Sequence, residues 1–122
     1  MRLFGKQNVG ELNQFFQDHN IHDARIRKTE YCAQTSTVRM EVYDLASGGG
    51  FRFEFEDVEA FTVKRGHFPG RNDEINYAGT EDETVCRSLN ITERCYWLCF
   101  LFEQVSGGQI QIVAEDVLIE VY

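Results

Sequence analysis

The chain has 122 residues, 43% of them hydrophobic and 13% aromatic, with a single Pro. That length suits one core over residues 1–122 and argues against both a two-lobed enzyme and a disordered chain. Twelve Lys and Arg against twenty Asp and Glu give a formal net charge of -8, a balance that repels nucleic-acid phosphates and anionic lipid.

The N-terminal stretch from Met1 to Asn20 lacks the apolar run and small-residue cleavage pattern of a signal peptide, so the cytosol is the expected compartment. The longest apolar run, Cys95 to Phe102, falls far short of the ~20 residues of a spanning helix. Its two cysteines, with Cys32 and Cys86, are too sparse for a disulfide scaffold and are expected to be buried thiols. Cys95 and Cys99 have near-zinc spacing, but Tyr, Trp and Leu separate them where zinc ligands sit in polar turns. A Cys86–Cys95 disulfide stays open, since Cα separation decides it.

In chain order, Asn8 and Glu11 are placed as a capping box, which predicts a helix from Asn8 to about His19–Asn20. Val9, Leu12, Phe15 and Phe16 form its apolar stripe, and so short a helix must dock on something larger. Thr37–Tyr43 and Phe51–Glu56 alternate strictly with period two and flank Ser47-Gly48-Gly49-Gly50, the pattern of a β-hairpin. Val58–Arg65 reads as a less regular strand. Gly66–Glu83 reads as a long connection with an edge strand at Glu74–Ala78. Arg94–Val105 is apolar on both faces, as in a strand covered on two sides, and turns through Ser106-Gly107-Gly108 into Gln109–Ala114. Val117–Tyr122 either continues that strand past a bulge at Glu115–Asp116 or forms a separate one. The expected fold is α+β: one N-terminal helix on a mainly antiparallel sheet of about six to seven strands, able to fold over into a sandwich or half-barrel.

Chemistry-bearing motifs are few. His19, His22 and Asp23 could centre a small metal-binding or hydrolytic domain if a further ligand joined them, but a helix end and turn use the same residues structurally. No serine lies in a nucleophile elbow, and neither glycine cluster is followed by the Lys and Ser/Thr of a phosphate loop. No catalytic residue, metal ligand or cofactor is assigned. Charge is uneven: residues 1–65 carry nine positive and ten negative side chains, residues 66–122 three and ten. Asp73, Glu74, Glu81, Asp82 and Glu83 gather around Tyr77, a combination suited to steering and anchoring a basic protein.

Ile21-His22-Asp23-Ala24-Arg25-Ile26, the later Phe55-x-x-Val58-x-x-Phe61 segment and the apolar ending Val117–Tyr122 together carry a resemblance. Over residues 21–122 the chain resembles small bacterial proteins that include immunity proteins of polymorphic toxin systems. It departs from them at Ile21, where an aromatic is common, and in the Arg94–Glu103 segment. The resemblance implies a non-enzymatic, acidic inhibitor of a basic toxin domain; charge and the lack of a spanning run argue against nucleic-acid and membrane partners, and a monomer or homodimer is expected. An oligomerising structural domain, with Tyr96, Phe100 and Phe102 at a subunit interface, is the remaining alternative.

Overall fold

The structure, a computed structural model, describes residues 2–19, 21–44, 47–69, 73–81 and 98–122. Its elements are β1 (Arg2–Gly5), a 3-10 turn (Lys6–Asn8), α1 (Val9–Asp18), β2 (Arg25–Cys32), β3 (Thr37–Tyr43), β4 (Gly50–Glu56), β5 (Ala60–Lys64), β6 (Ile75–Glu81), β7 (Leu98–Gln104), β8 (Gln109–Ala114) and β9 (Asp116–Val121). Where one sheet of six or seven strands is expected, the described strands form two. One has the order β1-β9-β4-β3-β2 and the other β5-β8-β7-β6, with every named pairing antiparallel.

The difference arises at a corner. The β4–β9 ladder ends with Glu56 opposite Asp116, and the β5–β8 ladder begins with Ala60 opposite Val113. Between them one chain turns through Asp57, whose φ of 50° is in the left-handed region that Asp tolerates better than most residues. The other turns at Glu115, whose N–H bonds the Glu56 carbonyl at 3.1 Å. A single two-stranded ribbon thus bends from one sheet into the other, as strands do at sandwich corners. The opposite side is stitched where β2 meets β6: Asp23 N–H donates to the Ile75 carbonyl, Ile75 N–H to Ala24, and Ile26 N–H to Asp73, at 2.7–2.8 Å.

The core lies between the sheets and under α1. Period two sends Val38, Met40 and Val42 of β3 inward, with Phe51, Phe53 and Phe55 of β4. They meet Phe100 and Phe102 of the facing sheet, with ring centroids of Phe55 and Phe100 4.7 Å apart and of Phe53 and Phe102 5.9 Å apart. β7 is buried from Leu98 to Phe102, as its two-faced apolarity requires. Leu12, Phe15 and Phe16 seal one opening, Phe16 touching both Phe53 and Phe102. On the outer face of the larger sheet, Arg39 pairs with Glu54, and Arg52 lies near both Glu41 and Glu120, a cross-strand charge ladder.

Several local expectations are revised. Asn8 does flank α1, but no capping box forms. Its Oδ1 accepts the Gly5 N–H at 2.6 Å, because β1, absent from the sequence reading, brings that donor closer than the helix amides. Of the two alternatives for the chain end, the separate strand holds: Val117–Val121 lies in β9, in the other sheet from β8. Cys32 is an exposed free thiol, since the last residues of edge strand β2 extend beyond the core. Cys99 is disulfide-bonded. The expectation of four buried thiols is therefore corrected at both positions; Cys86 and Cys95 lie outside the described residues.

Candidate functional site

A polar concavity lies between α1 and the outer edge of β6. It is a groove of about 470 Å³ with Phe16 and Ile21 among its apolar lining, and Asn13, Gln17, His22, Asn76, Tyr77 and Thr80 among its polar lining. Helical spacing puts Asn13, Phe16 and Gln17 on the side of α1 that faces β6. Asn13 Oδ1 accepts the Thr80 hydroxyl at 2.7 Å and the Thr80 N–H at 3.4 Å, tying the helix to the strand.

Tyr77 is 43% exposed. Its position depends on Gly79, two residues along the same face of β6: a Cβ built on Gly79 would lie 2.6 Å from the Tyr77 hydroxyl oxygen. The missing side chain is what lets the ring lie along the strand, an arrangement known to protect glycines in exposed strands. Large aromatic rings held in one rotamer cost little further entropy on binding, which is why Tyr is favoured at contact centres.

The acids expected to cluster around Tyr77 are divided by the strand itself. Asp73 and Glu74 precede β6, with Glu74 bridging to Arg25 of β2, whereas Glu81 ends β6. Six residues of extended chain separate Glu74 from Glu81, so the two lie roughly 23 Å apart along the strand. Asp82 and Glu83 lie outside the described residues. The site is therefore Asp73, Glu74 and Tyr77 at one end of β6 and Glu81 at the other, instead of five acids on one loop.

The histidines separate likewise. His19 sits at the C-cap of α1, its ring 4.2 Å from Phe15 and 5.5 Å from Phe51 by centroids, and is held by apolar packing. His22 lines the groove; its Nδ1 is 3.1 Å from Asp23 Oδ1, with both side chains more than half exposed. Asp23 has φ 71°, the left-handed conformation of a turn. His19 thus faces rings while His22 faces the groove, and the His19, His22 and Asp23 centre does not assemble. Among the described residues no group of three or more His, Cys, Asp or Glu side chains is placed to hold a metal ion.

Among the described residues three titrating groups outside the groove are perturbed, Lys28 being raised by its hydrogen bond and charge pairing with Glu30. Glu56 is pushed above the usual carboxylate range by burial and then by Asp116 opposite it, with Glu54 and Asp57 adding to the effect. The Cys32 thiol is lowered chiefly by its hydrogen bond with Thr35.

Sequence reasoning identified Tyr77 and His22 but missed Asn13, Gln17, Asn76 and Thr80. Asn13 and Thr80 are 67 positions apart, and nothing in local periodicity links them. No known protein family matches the chain, and no curated protein matches it. Among the described residues no helix is long and apolar enough to cross a membrane.

Proposed function

We propose that this chain is a non-enzymatic protein-binding module whose groove between α1 and β6 docks a basic partner, with an immunity-type inhibitor of a toxin domain as its role. One observation carries the reading: a half-exposed Tyr77, seated on Gly79, stands at a groove of about 470 Å³ along β6, the strand that Asp73 and Glu74 lead into. An aromatic anchor over a partly apolar floor supplies affinity, and the neighbouring carboxylates steer a cationic surface. The net charge of -8 extends that steering beyond the groove. The immunity-type role is what the resemblance through His22, Asp23, Phe55, Val58 and Phe61 implies. Disulfides persist in oxidising compartments and are reduced in the cytosol, so the disulfide at Cys99 favours an oxidising location over the cytosolic one.

The test is capture by the immobilised protein from an extract of its native cells. Wild type, Tyr77→Ala and Asp73→Asn/Glu74→Gln are compared with Val63→Ser, a change on the far edge strand β5. A basic protein retained by wild type and Val63→Ser but lost from both groove variants is the expected result. Equal retention by all four, or retention of acidic proteins alone, overturns the proposal.

A further inference from the structure

Resting on that reading, we infer that the groove takes an extended, basic peptide segment of the partner, added as a short strand against the main chain of Ala78. The argument begins with the hydrogen-bond phase of β6. In an antiparallel ladder, opposite residues alternate between pairs that exchange both backbone bonds and pairs whose N–H and C=O point away from each other. Thr80, opposite Phe100, sends its N–H outward to Asn13, so it belongs to the second kind. Ala78, opposite Phe102, is two residues away and shares that phase. Its N–H and C=O therefore point into the groove.

Among the described residues, groups on either side of Ala78 are already engaged. Ile75, brought into outward phase by the bulge between Ile75 and Tyr77, bonds Ala24 and Asp23. Thr80 is capped by Asn13. Among the described residues, the N–H and C=O of Ala78 lie between a stitched end and a capped end, and the groove of about 470 Å³ lies directly against them. Edge strands that leave such groups unpaired recruit other strands, and their main-chain bonds add affinity without dictating sequence. Phe16 and Ile21 offer an apolar seat to one side chain of the incoming segment, and Tyr77 a ring to another.

Charge chooses among occupants. Asp18 follows the groove residue Gln17 and accepts from the Gln14 amide, Asp23 follows His22 and contacts its ring, and Asp73 and Glu74 lead into β6, while Arg25 is a described cation nearby. This acidic surround favours Lys and Arg flanking an apolar residue and disfavours an acidic strand or a second copy of this chain.

The probe is acetyl-Lys-Val-Arg-Val-Lys-amide, titrated into isotope-labelled full-length protein with amide-resolved NMR and hydrogen exchange. In the free protein the Ala78 amide is expected to exchange as an open edge amide. At about nine times the Kd its exchange slows about tenfold, as 1 + [L]/Kd requires. Backbone N-methylation of the probe, or Ala78→Pro, weakens binding about five- to tenfold, the value of one main-chain bond. Proline is tolerated where an edge N–H faces outward, and the N-methylated probe gives the same answer without altering the protein.

Strong protection of Ala78 before peptide is added overturns the inference, as does protection that rises with protein concentration, the mark of self-pairing. So does equal binding by acetyl-Glu-Val-Asp-Val-Glu-amide, or no binding by the basic probe. Shifts at Asn76 and Tyr77 with an unmoved Ala78 amide overturn strand addition but leave partner docking in place. Docking itself is decided by the capture of the groove variants.

Discussion

Glu56→Gln should stabilise this protein at neutral pH. Glu56 and Asp116 stand directly opposite at the corner where the ribbon changes sheets, and Asp116 Oδ1 is buried without a hydrogen-bond partner. Gly5, opposite Asp116 on its other side in β1, has no side chain to offer it a donor. Burial and then Asp116 raise the Glu56 pKa, so the folded chain takes up this proton at a higher pH than the unfolded chain, where Glu titrates near ~4.3. The ionised pair therefore opposes folding at pH 7. The penalty is relieved as pH falls through the folded pKa and is gone below the unfolded one. Like charges facing each other across strands cost about 0.2–1 kcal/mol, and an amide donor to the Asp116 carboxylate adds a similar amount after solvent screening of this partly exposed group. The expected gain from Glu56→Gln is about 1 kcal/mol at pH 7, shrinking toward zero near pH 4, where the wild-type carboxyl carries its own proton. Urea unfolding of both proteins across that range measures it. A variant less stable than wild type at pH 7, or a gain that does not change with pH, refutes the reasoning.

Other outcomes follow from the same contacts. Phe102→Ala removes a ring that touches Phe16, Phe53 and Phe55, thereby loosening helix and both sheets together, and should cost about 3–5 kcal/mol in urea unfolding; less than about 2 contradicts the core assignment. Gly79→Val should expel the Tyr77 ring from its seat while changing stability by less than about 1 kcal/mol, since Val suits a strand, and partner affinity should fall with it. Thiol titration of denatured, unreduced protein should find fewer than four free thiols, because Cys99 is bonded while Cys32 is free. In the native state Cys32 should alkylate at lower pH than Thr35→Val allows, as loss of the Thr35 bond raises the thiol's pKa.

How far the sequence exposes this architecture depends on the range of each interaction. The β3–β4 hairpin is legible because strict alternation on both sides of Ser47–Gly50 sets faces and register together. The stripe of α1 is legible because its period is local, as is the double burial of β7 from its continuous apolar run. The corner is not, since Asp57 and Glu115 become sheet-switching residues only once β4 pairs with β9 and β5 with β8. β1 escapes notice because Phe4 is its one buried residue. An edge strand at Glu74–Ala78 is legible, but Gly79 to Glu81 lack strand-like alternation, so only pairing with β7 extends that strand to residues 75–81 and parts Glu81 from Asp73 and Glu74. The groove is hidden because it exists only where a helix near the N-terminus crosses that edge.

The most direct measurement of the central claim places the photo-reactive residue p-benzoylphenylalanine at position 77, and separately at exposed position 63 on the far edge, in the protein in its native cells. Cross-links from position 77 to a basic protein, absent from position 63, are what the docking account requires. Cross-links from position 63 alone, or none from position 77, would contradict it.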